Sequence, residues 1–323
     1  MQDPKYWQVI NTALHEEMER DETVTIAGED VASVGGPFGA SRGLLEKFGP
    51  QRVRDTPISE LAMVGLGVGA AMAGMRPVIE IMFSDFLALS MDQLVNQAAK
   101  VSFMSQGRLK VPLTIRTLCG SGRTTSSQHV QSLEAWTSHV PGLKVVWPAT
   151  PADAKGLLKS AIRDNNPVIV IESLSLWTER GPVPEGEHLV PIGKADIKRP
   201  GRDVTIVTAG GMVPRVLKAA EILSGDGIDA EVIDLRTLSP IDEETVLESL
   251  SRTHRIAVVH EAVKHYGFGA EIAAIVAEKG IYDLETPIKR IAAPWAPLAS
   301  ASSLAREYLP SVDKIVQGVK SIF

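Results

Sequence analysis

Short β-branched runs alternate with amphipathic stretches along the chain. The runs "TVTIAG", "RPVIEIMF", "VPLTIRTL", "LKVVWPA" and "NPVIVIES" are apolar at most positions, the pattern of strands covered on both faces. Between them, "FLALSMDQLVNQAAKVSFMS", "HVQSLEAWTSHV" and "PADAKGLLKSAIRD" repeat at helical spacing, the last opening on Pro151 with Asp153 in its first turn. At the start, Trp7, Ile10, Leu14 and Met18 share one helical face, so the stretch reads as a folded amphipathic helix and not as a signal sequence. Strands alternating with helices predict an α/β fold of parallel sheets covered by helices.

The regularity breaks in "ERGPVPEGEHLVPIGKADIKRPG", where prolines and glycines collect with charges and no periodic run. A second alternating series follows, from "DVTIVTAGG" through "RIAVVHEA" and "FGAEIAAIVAEKG" to "PIKRIAAP". The expected organisation is a first domain over 1–180, a linker over 181–201 and a smaller α/β domain over 202–323. A length of 323 residues suits that division.

Composition narrows the setting. A formal charge of -6 argues against a nucleic-acid partner, which would ask for a basic face. Cys119 is the only cysteine, which excludes an intrachain disulfide and a cysteine-based zinc site and suits a reducing cytoplasm. The most lipid-like run, Leu61 to Met75, is shorter than the roughly 20 residues that span a bilayer and is broken by four glycines, so no membrane role is expected.

Several motifs invite a nucleotide or metal reading and fail it. "GLGVGA" lacks the third glycine of a dinucleotide fingerprint and follows a polar turn, so close helix packing explains it better. "GDG" at Gly225 to Gly227 is expected to be a helix-to-strand turn, because no asparagine occurs after Asn166 to close a magnesium and diphosphate motif. No metal-binding histidine pair, nucleophile elbow or phosphate-binding lysine loop is present.

The carboxylates are more informative. Glu29 in "IAGEDV" and Glu60 after "TPIS" stand at the ends of expected strands, where open parallel sheets gather their ligands. Each also has a plain structural account; for Glu60 it is a helix-start charge behind an N-capping Ser59. His129 follows the loop "CGSGRTTSSQ" and is expected to open a helix, a position from which its ring can serve a cleft as acid or base.

Taken together, "GEDV", "DTPISE", "VGAAMAGMRPVIEIMF", "MDQLVNQAAK", "QHVQSLEAW", "HVPGLKVVWPATPADAKGLLKSAIRDNNPV" and "VIDLRTLSPID" resemble the β subunit of thiamine-diphosphate-dependent 2-oxo acid dehydrogenases, the E1β chains of the pyruvate, branched-chain and acetoin type. The resemblance covers nearly the whole chain. It implies a pyrimidine-binding domain followed by a transketolase C-terminal domain. It also implies an α2β2 heterotetramer whose E1α chain holds Mg2+ and the diphosphate, and a lipoyl-bearing E2 as acyl acceptor.

By position, Glu60 matches the glutamate on N1' of the cofactor's aminopyrimidine, which promotes the imino tautomer that removes the C2 proton. Glu29 matches a second acid of the cofactor pocket, and Phe86 falls in the segment beside the pyrimidine. His129 matches the histidine that assists acyl transfer to the lipoyl group. Leu113, Ala161, Ile162, Asp164 and Asn166 match a K+ site of some members; a helix C-terminal turn at "RDNNP" accounts for the same residues. The chain departs from the family at "QHVQ", where Val130 removes a hydroxyl beside the histidine, and at "APWAPLASASSLARE", so the oxo acid and the acceptor are left open. The alternative is a split transketolase-like enzyme moving ketol units between sugar phosphates, with Arg116 and Arg123 as phosphate ligands. A non-enzymatic assembly subunit is the third reading.

Overall fold

In a computed structural model of the chain, which describes residues 2–120 and 127–323, the apolar runs of the first half become strands β1 (Val24–Gly28), β2 (Val53–Asp55), β3 (Arg76–Phe83), β4 (Thr114–Cys119), β5 (Lys144–Val146) and β6 (Val168–Ser173). Every residue of β4 and β6 is buried, as continuous apolar runs require. The helices of this half are α1 (Tyr6–Arg20), α2 (Leu44–Phe48), α3 (Glu60–Met72), α4 (Leu87–Asp92), α5 (Ala99–Met104), α6 (Glu134–Ser138) and α7 (Pro151–Arg163). One core face packs α1 and α7 residues such as Ile10, Leu14, Leu157 and Leu158 on the sheet. The opposite face packs Val64 and Val68 of α3 against Ile79, Ile81 and Ile115.

The second half holds β7 (Asp196–Arg199), β8 (Val204–Thr208), β9 (Ala230–Asp234), β10 (Thr237–Ser239), β11 (Ile256–Val263) and β12 (Lys289–Ala293). Its helices are α8 (Val213–Gly225), α9 (Glu243–Thr253), α10 (Phe268–Lys279), α11 (Ser302–Tyr308) and α12 (Val312–Lys320). Five strands pair in the order β12-β11-β8-β9-β7, parallel except for β7, which lies inside the stretch 181–201 and runs antiparallel to β9.

The other sheet has the order β10-β5-β6-β4-β3-β1-β2, so β10 leaves its own half and pairs antiparallel with β5. Around that crossing, Trp147 is fully buried and donates from Nε1 to Ser173 Oγ at 2.8 Å. Gly210, at φ +55°, lies so close that a Cβ there would stand 2.3 Å from Trp147 Nε1. Ions lock the same junction: Lys198 Nζ lies 2.6 Å from Asp153 on α7, and Arg236 Nη1 donates to the same carboxylate at 3.2 Å.

The glycine-rich α3 is a closely packed helix. A Cβ on Gly67 would meet Ile79 Cγ1 and Leu113 Cδ1 at 2.8 Å, so the glycine lets the helix settle on the sheet. The "GDG" triplet ends α8, with Gly227 at φ +84° turning the chain toward β9. Two helical expectations change. Residues 93–98, inside the predicted helix from Phe86, take a π-helical register. His129 does not open a helix, since α6 begins only at Glu134; side-chain bonds from neighbouring elements, described below, claim residues 127–132 instead. Among the described residues no helix is long and apolar enough to cross a membrane.

Candidate active site

Strands β4, β3, β1 and β2 lie side by side and run parallel, so their C-terminal ends form one continuous edge. Glu29 follows β1 directly, Glu60 follows β2 across a short turn, Phe86 follows β3, and His129 lies on the segment after β4. Four adjacent strands at about 4.8 Å spacing span roughly 15 Å. The topology thus collects four of the sequence-predicted residues on one edge.

Glu60 is the first residue of α3 and is 6% exposed. Ser59 occupies the N-cap position, but its side chain makes no capping hydrogen bond, which corrects that part of the sequence account; its φ of -165° and ψ of 83° carry the turn instead. Among the described residues the Glu60 carboxylate has no hydrogen-bond or ion-pair partner. Burial first, then the negative charges of Glu60, Asp30 and Glu80, push the Glu29 carboxyl above the ordinary glutamate range. The chain after Glu29 is tied back to β2, because Ala32 and Ser33 donate their N–H groups to the Asp55 carboxylate at 2.7 and 3.1 Å.

Phe86 and His129 meet directly. Their ring centroids are 5.3 Å apart, Phe83 stands 5.2 Å from the same imidazole, and both contacts are edge-on. His129 Nδ1 is buried with no hydrogen-bond partner. The segment around it is pinned to the first domain, since Ser84 Oγ donates to the Gln131 carbonyl at 2.8 Å and Gln131 Nε2 donates to Asp85 Oδ1 at 2.7 Å.

Beneath this edge lies a charged triad that the sequence reading missed. Arg116 is 2% exposed and donates from Nη1 to Glu80 at 2.5 Å, and from Nε and Nη2 to the two oxygens of Glu172 at 2.8 and 2.9 Å. Burial alone would pull the guanidinium down, and Glu172 and Glu80 more than reverse it, so its charge is held. Arg116 is therefore buried and held by the two glutamates, out of reach of a sugar phosphate, which corrects its role in the split-transketolase alternative. Arg123 lies outside the described residues. The legible signal was a lone charge in each otherwise apolar strand: "VIEIMF", "LTIRTL" and "VIVIES".

The five residues assigned to potassium surround the C-terminal turn of α7. Arg76 Nη1 donates to the carbonyls of Ile162 and Asp164, both at 3.0 Å, and Lys144 Nζ meets the Asp164 carboxylate at 2.5 Å. The Leu113 carbonyl accepts from the Val168 N–H at 2.9 Å, and that of Ala161 from the Asp164 N–H at 3.2 Å. Asn166 donates from Nδ2 to Asp164 Oδ1 at 2.9 Å. The positive charge that such a turn attracts is already supplied by the chain.

A cleft of about 1570 Å³ lies between the two domains, lined among others by Val130, Gln131, Ser132, Glu261, Phe268 and Trp295. Glu29, Glu60 and His129 are not in its lining. Next to Glu60, Leu61 is exposed and Ile58 is 80% exposed, and Leu66 and Met72 are exposed farther along α3. An apolar surface bordering buried carboxylates has the character of a face that another chain covers.

Comparison with known proteins fits this geometry. The family described as transketolase, pyrimidine binding domain, matches residues 2–178, and transketolase, C-terminal domain, matches residues 193–315. The acetoin:2,6-dichlorophenolindophenol oxidoreductase subunit beta of Bacillus subtilis (strain 168) is 45% identical, over 95% of this chain and 93% of its own. The 2-oxoisovalerate dehydrogenase subunit beta of the same organism is 43% identical over 98% of both chains. The mitochondrial pyruvate dehydrogenase E1 component subunit beta-2 of Oryza sativa subsp. japonica is 43% identical over 97% of this chain and 84% of its own. Among solved structures, a split gene transketolase, an inactive beta4 tetramer, superposes with a TM-score of 0.81 at 21% identity, over 98% of this chain and 97% of that one, a likeness of fold.

Proposed function

From the premise that the chain belongs to the family of transketolase-like E1 β subunits of 2-oxo acid and acetoin dehydrogenases, we propose that it is the β half of a thiamine-diphosphate site, with Glu60 as the cofactor-activating carboxylate. One observation carries the reading: Glu60 is 6% exposed and its carboxylate has no hydrogen-bond or ion-pair partner among the described residues. A carboxylate in such a place is costly unless it has a partner, and a pyrimidine ring nitrogen is one: it takes a proton from the acid and, once protonated, donates back to the carboxylate. When bound, thiamine diphosphate supplies the nucleophilic carbon and the electron sink for the decarboxylated substrate.

The chain's own residues have separate tasks in this reading. Glu60 gives a proton to the ring nitrogen that it faces and then accepts the hydrogen bond of the N–H so formed, on a side chain largely withdrawn from water. Glu29, whose carboxyl burial and Glu60 push upward, is the second acid beside it, more easily protonated than an ordinary glutamate. Phe83 and Phe86 fix the plane of His129, leaving Nδ1 free to accept a proton as an acyl group passes to a lipoyl acceptor on E2. The α chain covers the apolar face of α3 and brings Mg2+ and the diphosphate half, for which this chain has no closing asparagine. The substrate is a 2-oxo acid or acetoin.

The test is Glu60→Gln in the chain purified with its α partner. Turnover should fall by about 10² or more, because a general acid–base contribution of that size is removed, while thiamine diphosphate still binds. Near-normal turnover in the variant would refute the assignment.

A further inference from the structure

The segment that carries His129 is also held from the second domain. Ser127 Oγ donates to the Leu298 carbonyl at 2.5 Å. Ser132 Oγ donates to Glu261 Oε1 at 2.9 Å, and the same oxygen lies 3.8 Å from Cys119 Sγ at the end of β4. Burial, with Glu261 beside it, pushes the Cys119 thiol well up, so it is a protonated thiol that donates. Gly120, at φ +83°, leaves the room: a Cβ there would stand 2.1 Å from Glu261 Oε1. One buried carboxylate oxygen, 4% exposed as a residue, therefore touches the chain just before the His129 segment and just after that histidine.

We infer that Glu261, carried by β11 of the C-terminal domain, is a positioning residue that ties residues 127–132, which present His129, to the end of β4. An apolar side chain would fill the same space without the cost of burying a carboxylate. What the carboxylate adds is a single acceptor shared by Cys119, at the end of β4, and Ser132, three residues after His129, so the histidine's near neighbour is fixed to the sheet edge. Placement matters here because a shift of about 1 Å in a reacting group costs on the order of 10² in rate.

The inference rests on the acyl-transfer role proposed for His129, and two assays on the α/β pair separate the two. Reduction of 2,6-dichlorophenolindophenol with pyruvate, 2-oxoisovalerate or acetoin, whichever is oxidised, reads the steps before acyl transfer. Reductive acylation of a lipoyl domain reads the transfer. Glu261→Ala should lower the lipoyl-linked rate about 10-fold or more and the dye-linked rate by less than about twofold. Glu261→Gln, which keeps the acceptor oxygen, should restore most of the lipoyl-linked rate. Ser132→Ala removes only a hydroxyl and should lose the lipoyl-linked rate in the same selective way, which keeps the test open if Glu261→Ala fails to assemble. Added to His129→Ala, the Glu261→Ala change should lower the lipoyl-linked rate no further. Equal losses in both assays, or none in either, overturn the positioning role provided His129→Ala itself loses the lipoyl-linked rate. If His129→Ala keeps that rate, the role of His129 is what fails and the inference falls with its premise.

Discussion

Replacing Glu134 by glutamine removes a titrating group from a place with nothing to pair it. Glu134 begins α6, is 2% exposed, and neither carboxylate oxygen has a hydrogen-bond partner among the described residues. Burial, with the nearby Glu261 adding to it, lifts its pKa from 4.5 to about 8. The folded chain thus keeps Glu134 protonated where the unfolded chain releases the proton. A group raised in this way contributes stability that is fully present below pH 4.5 and lost as the pH climbs toward 8. At about 1.4 kcal/mol per unit, the loss is below about 1 kcal/mol at pH 5, about 3 at pH 7 and about 4 at pH 8. Glutamine has the shape of the neutral acid and nothing to titrate. Glu134→Gln should therefore match the wild type near pH 5 and exceed it by about 3 kcal/mol at pH 7, a large share of an ordinary domain's stability. Urea unfolding of the α/β pair, followed by tryptophan fluorescence at unit steps from pH 5 to pH 8, reads the difference as long as the two m values agree. A difference that stays flat with pH, or shrinks as pH rises, would show that Glu134 is not a buried neutral acid and that the reasoning is wrong.

Arg116→Met should destabilise the chain by about 3–5 kcal/mol, because Glu80 and Glu172 would be left buried with no counter-charge. Adding Glu80→Gln and Glu172→Gln should recover much of that loss, and an Arg116→Met variant that unfolds at the wild-type urea midpoint would exclude the triad as a stabilising unit. Gly67→Ala should cost about 1–3 kcal/mol, since the new methyl meets Ile79 and Leu113 at 2.8 Å. Gly69→Ala has open space around it and should gain about 0.5–1 kcal/mol in the isolated chain; thermal unfolding that ranks these two variants the other way would refute the packing account of α3.

The sheets were legible because their strands are buried on both faces, as short, β-branched apolar runs bounded by turn residues. Glu29 was legible as a strand-end carboxylate for the same reason, since placing β1 places its end, whereas Glu60 was legible from the turn "TPIS" before an apolar helix, the short exposed β2 having given no pattern. The helix expected from His129 to Val140 was misjudged because local spacing cannot register the bonds that reach residues 127–132 from Ser84, Asp85, Glu261 and Leu298. Glu261 itself stood in plain view inside "AVVHEAV", a charge in an apolar strand like Glu80 and Glu172. Its partner is 129 positions away at Ser132, and nothing local announces a bond across two domains.

The crossing of β10 bears on how the chain is made. Val146 finds its partner only at Thr237, roughly 90 residues later, so at 5–20 residues per second the rim of β5 waits about 5–20 s for its cover. During that wait a bare row of backbone groups faces a crowded solution, the situation in which nascent strands recruit one another. Cutting the gene between the two halves would make the exposure permanent. The first half alone is therefore expected to need a chaperone or a grafted strand to stay dispersed, and the two halves are better regarded as one unit of biosynthesis.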